Sequence, residues 1–132
     1  MAKAERFEDL EIWQDARILA KKMFDITHQA NFPKDFGYIS QINNATGSVM
    51  DNIAEGFERN GRKEFLQFLS IAKGSAGEVR SQLHRGIDRL YFTPEVYNEL
   101  MEEVIKISKR LSVFISTLNQ SIYTGTKFKN RA

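Results

Sequence analysis

Four long stretches of the chain place apolar residues at spacings of 3, 4, 7 and 11, which puts them on one face of an α-helix. The third stretch has the longest apolar stripe, which runs from Phe65 to Leu90. No stretch shows the alternation or the β-branched clusters that are typical of strands. The pattern therefore predicts four amphipathic helices, over about residues 8–30, 36–58, 62–90 and 94–121.

Helix-breaking residues fall between these stretches. Pro33 follows the first, an Asn-Gly pair at 60–61 separates the second from the third, and Pro94 opens the fourth. Because the connections are short, consecutive helices are expected to pack antiparallel. The sequence thus predicts an all-α fold, an antiparallel up-down-up-down four-helix bundle. It forms one domain over residues 1–132 that ends in a basic C-terminal tail at 122–132.

Composition limits the functions open to this fold. The 132 residues carry 19 Lys and Arg against 17 Asp and Glu, and there is no cysteine, which excludes disulfides and thiolate chemistry. No apolar run approaches the roughly 20 residues that span a bilayer. The N-terminus lacks the apolar stretch of a signal peptide. We therefore expect a cytoplasmic protein with no membrane partner.

Catalytic and metal-binding patterns are missing from the sequence. A di-iron site in a four-helix bundle needs two Glu-x-x-His pairs, and neither His28 nor His84 follows a Glu by three residues. There is no Gly-x-Ser-x-Gly motif, and the glycine-rich segment 74–77 lacks the Lys-Ser/Thr of a phosphate loop. We predict that the protein is not an enzyme and uses no metal or cofactor.

Polar residues border the apolar stripes of the second and third helices. The polar residues of the second helix are 7, 11 and 14 positions apart, and each of these steps returns to nearly the same side of a helix, so the residues share one narrow sector. One interpretation is a bundle rim that meets water. The other is a hydrogen-bonded seam between helices or subunits that fixes their register. The residues of this polar stripe, with the glycine beside it, are Gln41, Ser48, Asn52, Glu55, Gly56, Ser75 and Glu78.

Basic residues form a second pattern, a row along the third helix. Spacings of 11 and 7 align Arg62, Lys73 and Arg80. Such a row can follow phosphates, and an oligomer would strengthen binding through avidity. The alternative is a solvated face whose charges are neutralised by neighbouring acids. The candidate nucleic-acid-binding residues are Arg59, Arg62, Lys73 and Arg80, with Lys127, Lys129 and Arg131 in the tail.

Several apolar residues lie off the predicted core stripes. They are Ile18, Leu66, Ile71 and Val113. Together with the polar stripe, they favour self-association of the chain.

Four segments carry a resemblance to a known family: residues 7–13 (FEDLEIW), 32–34 (FPK), 48–56 (SVMDNIAEG) and 68–78 (FLSIAKGSAGE). The chain resembles the bacterial four-helix-bundle proteins encoded within intervening sequences of 23S rRNA genes. That family in turn is similar to the accessory protein of diversity-generating retroelements, a homopentamer that binds nucleic acid and a reverse transcriptase.

The resemblance implies a non-enzymatic homo-oligomer, with a pentamer as the expected assembly. Its expected partners are further copies of itself and RNA, or a nucleic-acid-processing protein. An oligomeric protein–protein scaffold with no nucleic-acid role is the alternative. Where many relatives have basic residues after the motif glutamine of the second helix, this chain has Asn43 and Asn44.

Overall fold

The computed structural model describes residues 4–124, with side chains described through residue 120. Within that range there are four α-helices and no strand, which confirms the all-α four-helix prediction. A short 3-10 turn, Phe7–Asp9, comes before the first of them. The helices are α1 (Glu11–Thr27), α2 (Phe36–Glu58), α3 (Arg62–Asp88) and α4 (Pro94–Thr124).

Four helix boundaries, in three of the helices, differ from the sequence prediction. The helix α1 begins after residue 8 because Leu10 is extended, with ψ 126°, and separates it from the 3-10 turn, and it ends at Thr27 and not at residue 30. The helix α3 stops before residue 90 because Leu90 adopts the left-handed conformation, with φ 62°. The helix α4 continues to Thr124, three residues beyond its predicted end.

Each helix packs against two neighbours, α2 with α1 and α3, and α4 with α3 and α1. In three helix pairs, residues near the start of one helix contact residues near the end of the other, so these pairs are antiparallel. The arrangement is compatible with the predicted up-down-up-down order. The contacts are Tyr38–Gln82 and Gly56–Phe65 for α2 and α3, His84–Tyr97 and Phe65–Phe114 for α3 and α4, and Lys22–Glu99 and Asp15–Arg110 for α1 and α4.

The predicted apolar stripes meet along the axis of the bundle. Phe65, Leu69 and Leu83 of α3 are almost fully buried there, together with residues of the other three helices. Phe24 has the helical spacing of the apolar residues of α1, yet it is 54% exposed and stacks on the His28 ring. The core therefore contacts only the narrower face of α1 that holds Leu19 and Met23.

Of the four apolar residues that lie off the stripes, three are exposed and one is not. Ile18, Ile71 and Val113 are all at least half exposed. Leu66 is partly buried and packs against the core.

Two glycines set the distance between α2 and α3. A Cβ on Gly56 would lie 2.6 Å from Phe68 Cβ, closer than real Cβ atoms come, and 3.0 Å from the Phe65 ring, which is a tight contact. At the other end of the pair, a Cβ on Gly86 would collide with Tyr38 Oη and the Phe92 ring. The two helices therefore approach more closely than any larger residue at these positions allows.

Replacing Gly56 by alanine is therefore expected to destabilise the fold. We expect Gly56→Ala to lower the free energy of unfolding by about 1–3 kcal/mol, because the added methyl group overpacks the contact with α3. Gly47→Ala is the matched control on the same helix, since its Cβ would meet no atom within 4 Å. It should raise stability by about 0.5–1 kcal/mol. Urea denaturation measures both, and a stable Gly56→Ala protein would refute the close packing.

The carboxylate of Asp35 ties the start of α2 to the end of α3. Its Oδ1 accepts a hydrogen bond from the Tyr38 amide at 3.1 Å, which caps α2, and its Oδ2 accepts one from the Tyr91 hydroxyl at 2.6 Å. Arg89 lies 3.6 Å from the same oxygen. The hydrogen bond from Tyr91, and then that from the Tyr38 amide, lowers the pKa of Asp35 below its ordinary value of 3.8.

This lowered pKa predicts an acid-sensitive contribution to stability. Because the folded-state pKa lies below the unfolded one, the stabilisation is present above about pH 4 and is lost as the pH falls through the folded-state value. Asp35→Asn should therefore destabilise the protein at pH 7 and have a smaller effect at pH 3. Asp51→Asn, an exposed control on α2, should change stability little at either pH. Equal losses at both pH values for Asp35→Asn would contradict the assignment.

Candidate functional site

The polar stripe lies where α2 and α3 face each other, and we call this surface the α2–α3 seam. At its centre the Ser48 and Ser75 hydroxyl oxygens are 2.9 Å apart and join the two helices. The Asn52 amide donates to the carbonyl and to the hydroxyl of Ser48, at 2.8 and 2.9 Å. Three of the predicted residues thus form one hydrogen-bonded cluster.

The remaining predicted seam residues lie on either side of that cluster. Glu55 pairs with Arg59 at 3.0 Å, and Glu78 accepts a hydrogen bond from Gln82 at 3.3 Å. Gln41 accepts a hydrogen bond at 2.9 Å from an arginine of α3. Gly56 lies below the surface, in the close contact described above.

That arginine, Arg85, was not selected from the sequence. Its guanidinium also lies 5.4 Å from the Tyr38 ring centroid, and its Nε is buried without a hydrogen-bond partner in the described part of the chain. Helical spacing placed Arg85 away from the basic row, and nothing in the sequence indicated that it would reach across to Gln41. These hydrogen bonds account for the seam as a contact between helices, and a role between subunits stays a prediction.

On the opposite edge of α3 from the seam, Lys73 lines the groove between α3 and α4, and the spacing of 7 puts Arg80 two turns further along the same edge. Lys73 and Arg80 are exposed, and neither has an ion pair among the described residues. Arg62 differs from them, because its Nε and Nη1 are buried and lack a hydrogen-bond partner within residues 4–120. Of the three residues of the row, the two that are exposed are therefore Lys73 and Arg80.

Arg59 does not belong to this row. It follows the end of α2, pairs with Glu55, and has its guanidinium carbon 5.0 Å from the centroid of the Phe68 ring. Its charge is thus already engaged on the seam side of the bundle. Arg59 was named as a candidate beside the row, but as the residue that ends α2 it lies on the other face.

The groove beside Lys73 widens into a cleft of about 330 Å³. Its lining contains one ammonium group, two hydroxyls, two side-chain amides and one apolar side chain, but no carboxylate. No Asp or Glu follows Glu103 in the sequence, so this end of α4 has no negative side chain. The lining residues are Lys73, Ser112, Ile115, Ser116, Asn119 and Gln120.

Sequence reasoning missed the α4 wall of this cleft. Ser112, Ser116 and Asn119 are spaced by 4 and 3 residues, the same helical period that identified the apolar stripe. The signal was therefore present as a short polar row. It was overlooked because serine and asparagine are also ordinary residues of an exposed helix face.

The α1–α4 face provides a contrast in electrostatics. Lys22 donates hydrogen bonds to Glu103 and Glu99, which raise the pKa of its ammonium group. Arg110 bonds Asp15 on the same face. Cations here are neutralised by acids, as the solvated-face interpretation would require, whereas Lys73 and Arg80 in the α3–α4 groove are not.

Three predicted residues, Lys127, Lys129 and Arg131, lie outside the described residues. Over the described part of the chain, no three His, Asp or Glu side chains gather as a metal site would require. None of the described helices combines the length and the apolar character that a membrane crossing demands.

Together, the helices and their two polar faces define a four-helix-bundle protein with a hydrogen-bonded seam and a basic groove. A family model described as 23S rRNA-intervening sequence protein matches residues 8–113, and the chain belongs to this family. One similar solved structure is a protein of unknown function from the S23 ribosomal protein family of Bacteroides thetaiotaomicron. It is 25% identical, with a TM-score of 0.75 over 80% of this chain and 95% of that one. A search of curated proteins finds no match.

Proposed function

We propose that this protein is a non-enzymatic homo-oligomer that binds structured RNA, or an RNA–protein complex, through the α3–α4 groove. The observation that carries the proposal is the pair of exposed cations, Lys73 and Arg80, which have no ion pair among the described residues. Phosphates are the partners such cations would neutralise, with release of counterions.

Self-association is the second part of the proposal, and we assign it to the α2–α3 seam. Ile71 is 51% exposed on this side of α3, next to the polar cluster of Ser48, Asn52 and Ser75. The Asn52 Oδ1 has no hydrogen bond within the described part of the chain, so it can accept one from another copy. By resemblance to the retroelement accessory protein, the proposed assembly is a pentamer.

Arg80 provides the test of RNA binding. Arg80→Glu should weaken the binding of a fluorescent RNA hairpin by about tenfold at low salt. It should also lower the slope of the logarithm of the binding constant against the logarithm of salt concentration by about one, which corresponds to one lost phosphate contact. Lys21→Glu is the control, because it makes the same charge change on α1, which is not adjacent to α3. Fluorescence anisotropy over a salt series measures both variants. Equal effects of the two variants, or binding that ignores salt, would favour the protein scaffold instead.

Asn52 provides the test of self-association. Asn52→Leu removes a polar group from the proposed contact between copies, so it should change the native mass while leaving helix content intact. Asn98→Leu, at an exposed position of α4, is the control and should keep the wild-type mass. Sedimentation velocity with circular dichroism separates the two effects. A wild-type mass for Asn52→Leu would remove the seam from the proposed assembly.

A further inference from the structure

We infer that the cleft between α3 and α4 is a subsite for one ribonucleotide, with its phosphate at Lys73 and the serine hydroxyls and its sugar against Ile115. This inference rests on the proposed RNA binding and specifies where one unit of the RNA is held. The volume of about 330 Å³ lies at the lower end of the about 300–1,000 Å³ that is usual for small-ligand pockets. Because the cleft is shallow and largely open to solvent, it would hold one nucleotide at the surface and not a helix.

The polar groups that line the cleft suit a phosphate. Lys73 contributes a point charge with three N–H donors, and Ser112 and Ser116 contribute hydroxyl donors from successive turns of α4. A carboxylate in the lining would repel a phosphate, and the cleft has none. Lysine with neutral donors is a common arrangement for a phosphate, whereas bidentate recognition of a carboxylate is typical of arginine.

The other lining residues suit the sugar of a nucleotide. Ile115 gives the cleft an apolar surface against which a ribose can pack. Asn119 contributes an amide that can both donate to and accept from a 2′-hydroxyl, the group that distinguishes RNA from DNA. Free phosphate would use only the charged part of the cleft, so a nucleotide should bind more tightly than phosphate alone.

The approach to the cleft along α3 is open. A Cβ on Gly74 or on Gly77, the residues one and four positions beyond Lys73, would meet no atom within 4 Å. Lys73 is exposed, and its ammonium group has no hydrogen bond or ion pair with another described residue. A chain of nucleotides can thus continue from the cleft along the groove towards Arg80.

The inference can be tested with nucleotides before any RNA is used. In two-dimensional amide NMR spectra, AMP should shift the signals of residues 73, 112 and 116 in a saturable manner. Binding of dAMP should be weaker by about threefold, and inorganic phosphate should bind more weakly than either. Lys73→Gln should weaken AMP binding by about tenfold, whereas Lys63→Gln, an exposed control on the same helix, should not change it.

Several outcomes would overturn the inference. Shifts scattered over the surface, equal affinities for AMP and phosphate, or equal effects of the two lysine variants would each show that the cleft is not a nucleotide subsite. The same two variants are then tested with the RNA hairpin. RNA binding that is insensitive to Lys73→Gln would leave the proposed function standing without this subsite. AMP binding in the cleft without RNA binding would refute the proposed function alone.

Discussion

The close approach of α2 and α3 is the constraint on which the rest of the structure depends. Gly56 and Gly86, near opposite ends of the pair, leave no room for a Cβ, so the two helices meet along most of their length. Between these points Ser48 and Ser75 join the helices at the surface. Because one edge of α3 is held against α2 in this way, its basic edge lies along α4.

The bundle consequently has faces of different chemical character. On the α1–α4 face, ion pairs neutralise the charges. In the α2–α3 seam, uncharged side chains hydrogen-bond to each other, and arginine contacts lie at the ends of the seam. The α3–α4 groove has exposed cations and a wall of hydroxyl and amide groups instead. The net charge of +2 over the whole chain gives no sign of this difference between the faces. The charge that matters for the binding of a polyanion is the local charge of the groove and not the net charge of the chain.

The sequence was sufficient for the helices because the helical period of the apolar residues and the breaks at Pro33 and Pro94 act locally. Helix ends were less predictable. The helix α3 ends at a left-handed residue, which is usually a glycine and can then be recognised in the sequence, but here that residue is Leu90. The prediction of site residues was limited because helical spacing does not show which neighbours a long side chain contacts. The spacing aligned Arg62 with Lys73, but the burial of the Arg62 nitrogens and the position of Arg59 over the Phe68 ring depend on tertiary packing. The cleft could not be predicted from the sequence, because its lining comes from two helices whose relative position the sequence does not give.

The central claim is that an oligomer of this bundle binds RNA through charge. Its most direct test is the native molar mass of the full chain, measured by light scattering with and without cellular RNA at low and high salt. The account predicts a multimer that gains mass from RNA at low salt and loses it at high salt. A monomer, or a multimer whose mass is unchanged by RNA at both salt concentrations, would contradict it.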